Sequence, residues 1–110
     1  MKRKKYLVYY LIKPKYFDDE EFDGDINILR DYKLVNTVYA IDMDAVYYFM
    51  QGEIWSPNGE AKDLIRSLGL SHTSMSIGDV VCDVETGEHF MAVSYGWQRV
   101  LDLDYLPNRY

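Results

Sequence analysis

The residues best suited to chemistry lie close together between positions 71 and 79. His72 is surrounded by hydroxyl side chains, and the carboxylate of Asp79 follows seven residues later. Hydroxyl, imidazole and carboxylate are the groups from which a nucleophile, its base and an orienting acid are built. However, the glycine flanks of a nucleophile elbow are missing around these serines. Residue types alone do not make a catalytic site, so we expect no enzyme.

Two other interpretations of this segment remain open. Serine and threonine hydroxyls often bond to nearby backbone groups and stabilise tight turns, which would make the segment structural. Alternatively, exposed backbone N–H groups in such a turn can bind a small anion, as in many phosphate sites. A small-ligand or nucleotide site would then use five residues: His72, Thr73, Ser74, Ser76 and Asp79.

The acidic stretch at residues 18–25 suggests a calcium loop, but the spacing fails. A loop that starts at Asp19 places Gly24 at the required turn and Arg30 at the twelfth position. That position needs a bidentate carboxylate, and a cation cannot replace it. The single cysteine and the two histidines also lack the paired spacing of zinc ligands. We therefore expect neither a metal nor another cofactor, and a solvated acidic loop instead.

Aromatic residues form the second candidate surface. Tryptophan and tyrosine are enriched among the residues that dominate protein–protein binding, although a tryptophan near an element boundary also serves as core filler. Tyr47 and Tyr48 are neighbours on one predicted helix, so both rings cannot point inward. The candidate partner-binding residues are Tyr47, Tyr48, Trp55 and Trp97.

Composition and charge narrow the classes of function. The chain has 110 residues, which suits one domain, and its net charge is −6 with six of the twelve basic residues before position 16. The acidic remainder repels phosphate backbones, so nucleic-acid binding is not expected. A basic partner remains an open alternative, including a protein surface that normally meets nucleic acid. A single cysteine and the lack of a leader or a long apolar stretch predict a cytoplasmic protein with no membrane segment.

The elements that must position these residues are indicated by hydrophobic periodicity. Strands are predicted at residues 6–12, 35–41, 80–84, 89–95 and 97–101, and helices at 45–51 and 57–68, with a short helix around 26–32. Asp42 or Asp44 is placed to cap the first of the two longer helices, and Gly52 to end it. Ser56 and Pro57 are placed to begin the next one, and Gly69 to end it.

The order of these elements predicts a single α+β domain. Its expected core is a mainly antiparallel, curved sheet of about five strands, with two helices packed on one face. The strand at residues 6–12 is apolar on both of its alternating faces, so it is expected to be central. A homodimer is a further expectation if the hairpin or the last strand leaves an open edge.

The block at residues 44–101 resembles YodL-like domains and small bacteriophage proteins, notably of phages that infect marine bacteria. The matching positions are 50–53 (MQGE), 55–61 (WSPNGEA), 64–65 (LI), 69–70 (GL), 72–81 (HTSMSIGDVV) and 95–96 (YG). The resemblance implies a small α+β module of mobile elements, and it carries no established reaction or catalytic residues. Residues 1–43 lie outside it.

Taken together, these patterns predict a small acidic accessory protein of a phage or mobile element. It is expected to act without catalysis, by binding a host or viral protein in the cytoplasm. The alternative is a small-ligand or nucleotide-binding module that uses the turn at residues 71–79. An enzyme with His72 as general base is a third, less favoured hypothesis.

Overall fold

The computed structural model describes residues 2–13 and 24–102, and the helices and strands below belong to that part of the chain. Their order is β1 (Lys4–Leu11), β2 (Asp25–Ile26), α1 (Ile28–Asp31), β3 (Tyr32–Ala40), α2 (Met43–Phe49), α3 (Gly52–Trp55), α4 (Lys62–Ser67), β4 (Val80–Asp83), β5 (His89–Val93) and β6 (Gly96–Asp102). The predictions for the acidic stretch at 16–23 and for the tail at 103–110 lie outside the described residues.

The strands form one open sheet in the order β2-β6-β5-β4-β1-β3. Four of its pairings are antiparallel, namely β1 with β3 and with β4, β4 with β5, and β5 with β6. The pairing of β2 with β6 is parallel, which makes the sheet mixed. The predicted α+β class and the mainly antiparallel pairing are therefore confirmed, whereas the expected number of strands is one short.

One face of the sheet carries the larger core. Tyr6, Val8 and Tyr10 alternate along β1 and are fully or almost fully buried against Val46 of α2 and Ile65 of α4. Successive side chains of a strand point to opposite faces, so this alternation assigns all three to the face that carries α2 and α4. The prediction of two helices on one face is confirmed for this layer.

The opposite face has a second, smaller core. It consists of Leu11, Ile28, Tyr32, Val80 and Met91, together with Ile26 and Val100. Ile28 comes from α1, which the sequence predicted as a short helix around residues 26–32. Helices therefore lie on both faces, which corrects the expectation of a single helical layer. On this second face β1 is covered only in part, because Leu11 is buried whereas Leu7 and Tyr9 are half-buried.

The predicted helix at residues 57–68 is shorter than expected and begins at Lys62. Gly59 has a φ of +82°, a conformation that interrupts a right-handed helix. The backbone N–H of Asn58 donates to the side chain of Glu60, as in a turn. The prediction that Ser56 caps the helix is wrong, since Ala61 is the N-cap, but Oγ of Ser56 accepts the N–H of Ala61 at 2.8 Å and closes the turn before the helix. An Asn-Gly pair thus delays the helix by one turn.

The end of α4 follows the predicted glycine stop. Gly69 has a φ of +73°, and its N–H donates to the carbonyl of Arg66 at 3.0 Å. The N–H of Leu70 donates to the carbonyl of Ile65 at 3.0 Å. These two bonds are those of a Schellman motif, and the buried Leu70 supplies its apolar contact.

Helix α2 begins and ends two residues earlier than the predicted 45–51, and an unexpected helical turn follows it. Asp42 caps it by accepting the N–H of Ala45 at 2.8 Å. Gly52 does not simply end this region, because it begins α3. Strands β4 and β5, predicted at residues 80–84 and 89–95, pair as an antiparallel hairpin. Strand β5 ends at Val93, two residues earlier than predicted, and a two-residue turn joins it to β6, where Val93 pairs with Gly96. None of the described helices has the length and apolar content required to cross a bilayer.

Candidate functional site

Asp79 lies at the centre of the turn at residues 71–79, and it is only 1% exposed. Its Oδ1 accepts the backbone N–H of Leu11 at 2.8 Å. Its Oδ2 accepts the backbone N–H of Ser76 at 2.8 Å and contacts Nε2 of His72 at 2.9 Å. A buried carboxylate requires several partners, and here it obtains them from β1 and from its own turn.

The imidazole of His72 is fixed from two sides. It stacks on the ring of Tyr10, with ring centroids 4.6 Å apart and planes tilted by 12°, while its Nε2 faces Asp79. Among the described residues, its Nδ1 is the one buried side-chain polar atom without a hydrogen-bond partner. Burial raises the pKa of Tyr10 well above its ordinary value, so its hydroxyl remains protonated and a donor even in alkaline solution.

The other polar groups of the turn are bonded to backbone. Oγ of Ser74 accepts the N–H of Gly52 at 2.8 Å, and the hydroxyl of Ser76 donates to the Ser74 carbonyl at 3.2 Å. The carbonyl of Thr73 accepts from the Tyr10 hydroxyl at 2.7 Å and from Nε1 of Trp55 at 3.1 Å. These contacts give the turn a structural part, because they join β1, α3 and the loop.

The backbone amides of this turn are also engaged. The N–H groups of Met75, Gly78 and Asp79 donate to the carbonyls of Met50, Ala92 and Ser76, respectively, and the N–H of Ser76 donates to Asp79. An anion site built from backbone N–H groups needs several of them directed at the ligand. The turn therefore contains the polar groups that the sequence indicated. However, these amide and hydroxyl groups bond to other groups of the same chain and are not directed at a ligand.

A second candidate site is the open groove between α2 and the β5–β6 hairpin, which we call the aromatic groove. Its volume is about 500 Å³. The residues that define it are Asp44, Tyr47, Tyr48, Ile77, Ala92 and Trp97. Three of the four predicted partner-binding residues therefore line one concave surface.

The walls of the aromatic groove are held by a specific contact between its two sides. Nε1 of Trp97 donates to Oδ1 of Asp44 at 2.9 Å. The rings of Tyr47 and Trp97 meet edge to face, with centroids 6.2 Å apart and planes at 81°. Tyr48 is 66% exposed and Ile77 is also exposed, so the rim offers apolar surface to solvent.

Trp55, the fourth predicted partner residue, lies elsewhere. It is half-buried, and its indole N–H donates to the Thr73 carbonyl, which places it at the base of the 71–79 turn. Sequence reasoning missed Ile77 and Asp44 as groove residues. The available signal was an apolar side chain in the middle of a polar turn, because an isoleucine there has no core position to fill.

Two further titratable groups lie outside both sites. Cys82 is a buried free thiol, and burial raises its pKa. Burial lowers the pKa of His89 below its ordinary value of 6.5, with a partly compensating attraction from Asp102. In the described parts of the chain, no cluster of three or more His, Cys, Asp or Glu side chains is arranged to hold a metal.

The fold and the two sites define an α+β domain built on an open mixed sheet, with a hydrogen-bonded turn at one end of α3 and an aromatic groove beside α2. Comparison with family models, curated proteins and solved structures finds no match to this chain. Function must therefore be argued from the sites themselves.

Proposed function

We propose that this chain is a small, non-catalytic binding module that holds a partner protein in the aromatic groove. The observation that carries the proposal is the convergence of Tyr47, Tyr48 and Trp97 on one open, concave surface of about 500 Å³. These residues come from segments about fifty positions apart, and Tyr47 and Trp97 also pack against the edge of the core. Rigid aromatic side chains around a pocket are typical of binding hot spots.

The shape and chemistry of the groove fit a protein segment better than a small metabolite. Its lining is largely apolar, and the polar groups of Trp97 and Asp44 are paired with each other. Small-molecule sites usually combine an enclosed cavity with several convergent polar groups. An open aromatic rim with an exposed Tyr48 is instead suited to a side chain inserted from another protein surface.

Charge favours a basic segment as the occupant. Asp44 stands at the groove, and the whole chain carries a net charge of −6. An arginine or lysine from the partner could lie over the exposed ring of Tyr48 and approach the Asp44 carboxylate. Complementary charge would also speed the encounter of the two proteins at low salt.

The resemblance of residues 44–101 to YodL-like and bacteriophage proteins suggests where the partner comes from. On that basis we propose a host or viral protein, met in the cytoplasm of the host cell. The block contains the whole aromatic groove, from Asp44 to Trp97. No catalytic residue is part of the proposal.

The test uses the immobilised full chain to capture a partner from host lysate, followed by titration calorimetry with the purified partner. We expect Tyr48→Ala and Trp97→Ala to weaken binding about tenfold or more. Leu29→Ala is the control, because Leu29 is 81% exposed and lines neither the groove nor β3. Wild-type affinity in both groove variants, or no specific partner for a folded chain, would contradict the proposal.

A small-ligand or nucleotide site at the 71–79 turn is the second candidate, and the unpartnered Nδ1 of His72 favours it. The probes are inorganic phosphate and ATP, followed by nuclear magnetic resonance of the labelled chain. If the turn binds either probe, the signals of His72, Thr73, Ser74 and Ser76 should shift in a saturable way. Unchanged signals at millimolar probe would remove this candidate.

A further inference from the structure

Strand β3 ends the sheet, and no other described strand lies along its outer side. It has nine residues, whereas β2 at the other end of the sheet has two. A long edge strand presents a row of unpaired N–H and C=O groups, which invites pairing with another chain. A very short edge strand such as β2 offers too few of these groups to pair with another chain. The β3 edge can therefore accept another strand, whereas the β2 edge cannot.

Protection of this edge by a charge or a bulge is confined to its first half. Lys33 places a charge there, and the pairing with β1 slips at Val35, where a bulge interrupts the strand. Charges, prolines and bulges are the usual devices that keep an edge from pairing. From Asn36 to Ile41 the sequence Asn-Thr-Val-Tyr-Ala-Ile has no charge and no proline, and its pairing with β1 is regular through Ala40.

The backbone groups of this regular half can be assigned a direction. The N–H of Thr37 donates to the side-chain Oδ1 of its neighbour Asn36 at 2.8 Å rather than to β1. It therefore points away from the sheet. The N–H and C=O groups of successive residues point alternately to the two sides of an antiparallel strand. The backbone groups of Tyr39 therefore also point outward, and those of Val38 point toward β1.

Exposed apolar side chains flank this edge on both faces of the sheet. Leu34 and Tyr39 pair with Tyr9 and Lys5 of β1, so both lie on the face opposite α2. Phe49 of α2 is exposed on the other face, at a groove of about 590 Å³ between the helix and β3. A partner that covers this whole surface must add a strand beside β3. It must also provide packed residues on both faces of the sheet, against Leu34 and Tyr39 on one face and Phe49 on the other.

We propose that the occupant is a second copy of this chain, which pairs its own β3 antiparallel to this one about a two-fold axis at Val38. In this register Thr37 of one copy lies opposite Tyr39 of the other, and both of these residues have outward backbone groups. Val38 then faces Val38 as a non-hydrogen-bonded pair. The sheet would continue from one copy into the other.

Charge complementarity and packing favour a second copy over an extended peptide. Lys33 stands at one end of β3 and Asp42 just beyond the other end, so the antiparallel arrangement brings each Lys33 near the Asp42 of the other copy. It also sets the two α2 helices side by side over the joint, where Phe49 of each copy meets the other. A lone peptide strand would leave Phe49 uncovered.

The first test measures mass by sedimentation equilibrium of the full chain. We expect twice the 13.0 kDa chain mass for the wild type, and for Thr37→Lys a dissociation constant raised about tenfold or more, because the variant sets like charges on both sides of the axis while its partner within the chain is the apolar Leu7. Tyr95→Lys is the matched control, since Tyr95 is 95% exposed at the far hairpin. It should remain dimeric. A wild type that stays monomeric at millimolar concentration would overturn the proposal.

The second test locates the interface. In a dimer joined through β3, the amide hydrogens of Thr37 and Tyr39 should exchange slowly, and dilution below the dissociation constant should speed them up. Thr37→Pro, which removes one outward N–H from an edge position, should also shift the chain to monomer while retaining its circular dichroism spectrum. A dimer in which these two amides exchange rapidly would place the contact elsewhere and refute the pairing.

Discussion

Asp79 is the residue on which the arrangement of the 71–79 turn depends. Its two oxygens accept from Leu11, Ser76 and His72, so one side chain fixes the turn to the end of β1 and orients the imidazole. At 1% exposure it has no water to replace a lost partner. A buried carboxylate with three partners is costly to remove, because each partner is then left unsatisfied.

We therefore expect Asp79→Ala to lower the free energy of unfolding by about 3 kcal/mol, measured by urea denaturation. Asp79→Asn should cost less, because its amide oxygen can still accept from Leu11. Ser76→Ala is the control: it removes a hydroxyl but keeps the N–H that Asp79 binds, and should change stability by less than about 0.5 kcal/mol. If Asp79→Ala were as stable as the wild type, the turn would not depend on this carboxylate.

His89 should make stability depend on pH. Burial lowers its pKa in the folded chain below the ordinary 6.5, so the unfolded chain binds the proton more readily. Its contribution to stability is complete above the unfolded pKa and is lost as the pH falls from about 6.5 through the lowered folded value. We expect His89→Gln to show a shallower decline of the urea midpoint over this range, and an identical decline would contradict the assignment.

At the scale of single residues, the sequence predicted which side chains belong to the candidate sites but not their hydrogen-bond partners. It indicated that His72, Ser74, Ser76 and Asp79 belong to one turn, and the structure places them there. It could not show that the hydroxyls bond to Gly52 and Ser74 backbone, because those bonds depend on loop geometry. Nor could it show that Trp97 reaches Asp44 across fifty-three positions.

At the scale of elements, α4 shows how local signals compete. The Ser-Pro pair predicted a helix from residue 57, but the following Asn-Gly pair turns the chain and the helix begins at Lys62. The end was predicted correctly, because the Schellman stop is set by Gly69 and the two bonds around it. Local chemistry thus determines this helix end, while its start depends on which of two signals is stronger.

Gly69→Ala should test that stop. A Cβ at this position has no neighbour within 4 Å, so the cost is the conformation itself, a φ of +73°. We expect a loss of about 1 kcal/mol in the free energy of unfolding, read from thermal or urea denaturation. Ser67→Ala, at an exposed position of the last turn of α4, serves as the control and should be far milder. Equal stabilities would mean that α4 can end without the left-handed residue.

The two elements that the sequence missed have a common cause. Strand β2 is two residues long and pairs only with Leu101 and Asp102, so nothing in its own pattern predicts a strand. Helix α3 is one turn long and begins at Gly52, a residue that ordinarily ends helices. Both depend on contacts made elsewhere in the chain, which periodicity does not register.

At the scale of the whole molecule, the order of the strands separates the two proposed surfaces. Strand β3 lies at one end of the sheet, while the aromatic groove is formed by α2 with the β5–β6 hairpin. A chain could therefore bind a partner in the groove and a second copy at β3, with α2 contributing a different side to each. The sequence predicted the class of fold and three groove aromatics, but the sheet order and the open β3 edge follow only from long-range pairing.

Strand β1 pairs with β3 on one side and with β4 on the other, although β3 ends at Ala40 and β4 begins at Val80. A chain leaving the ribosome could form the first of these pairs early, and would then carry the other flank of β1 unpaired while forty more residues are translated. That flank belongs to the most apolar segment of the early chain. Chaperone dependence during synthesis is therefore expected to peak before β4 emerges, and a fragment that ends before Val80 should aggregate.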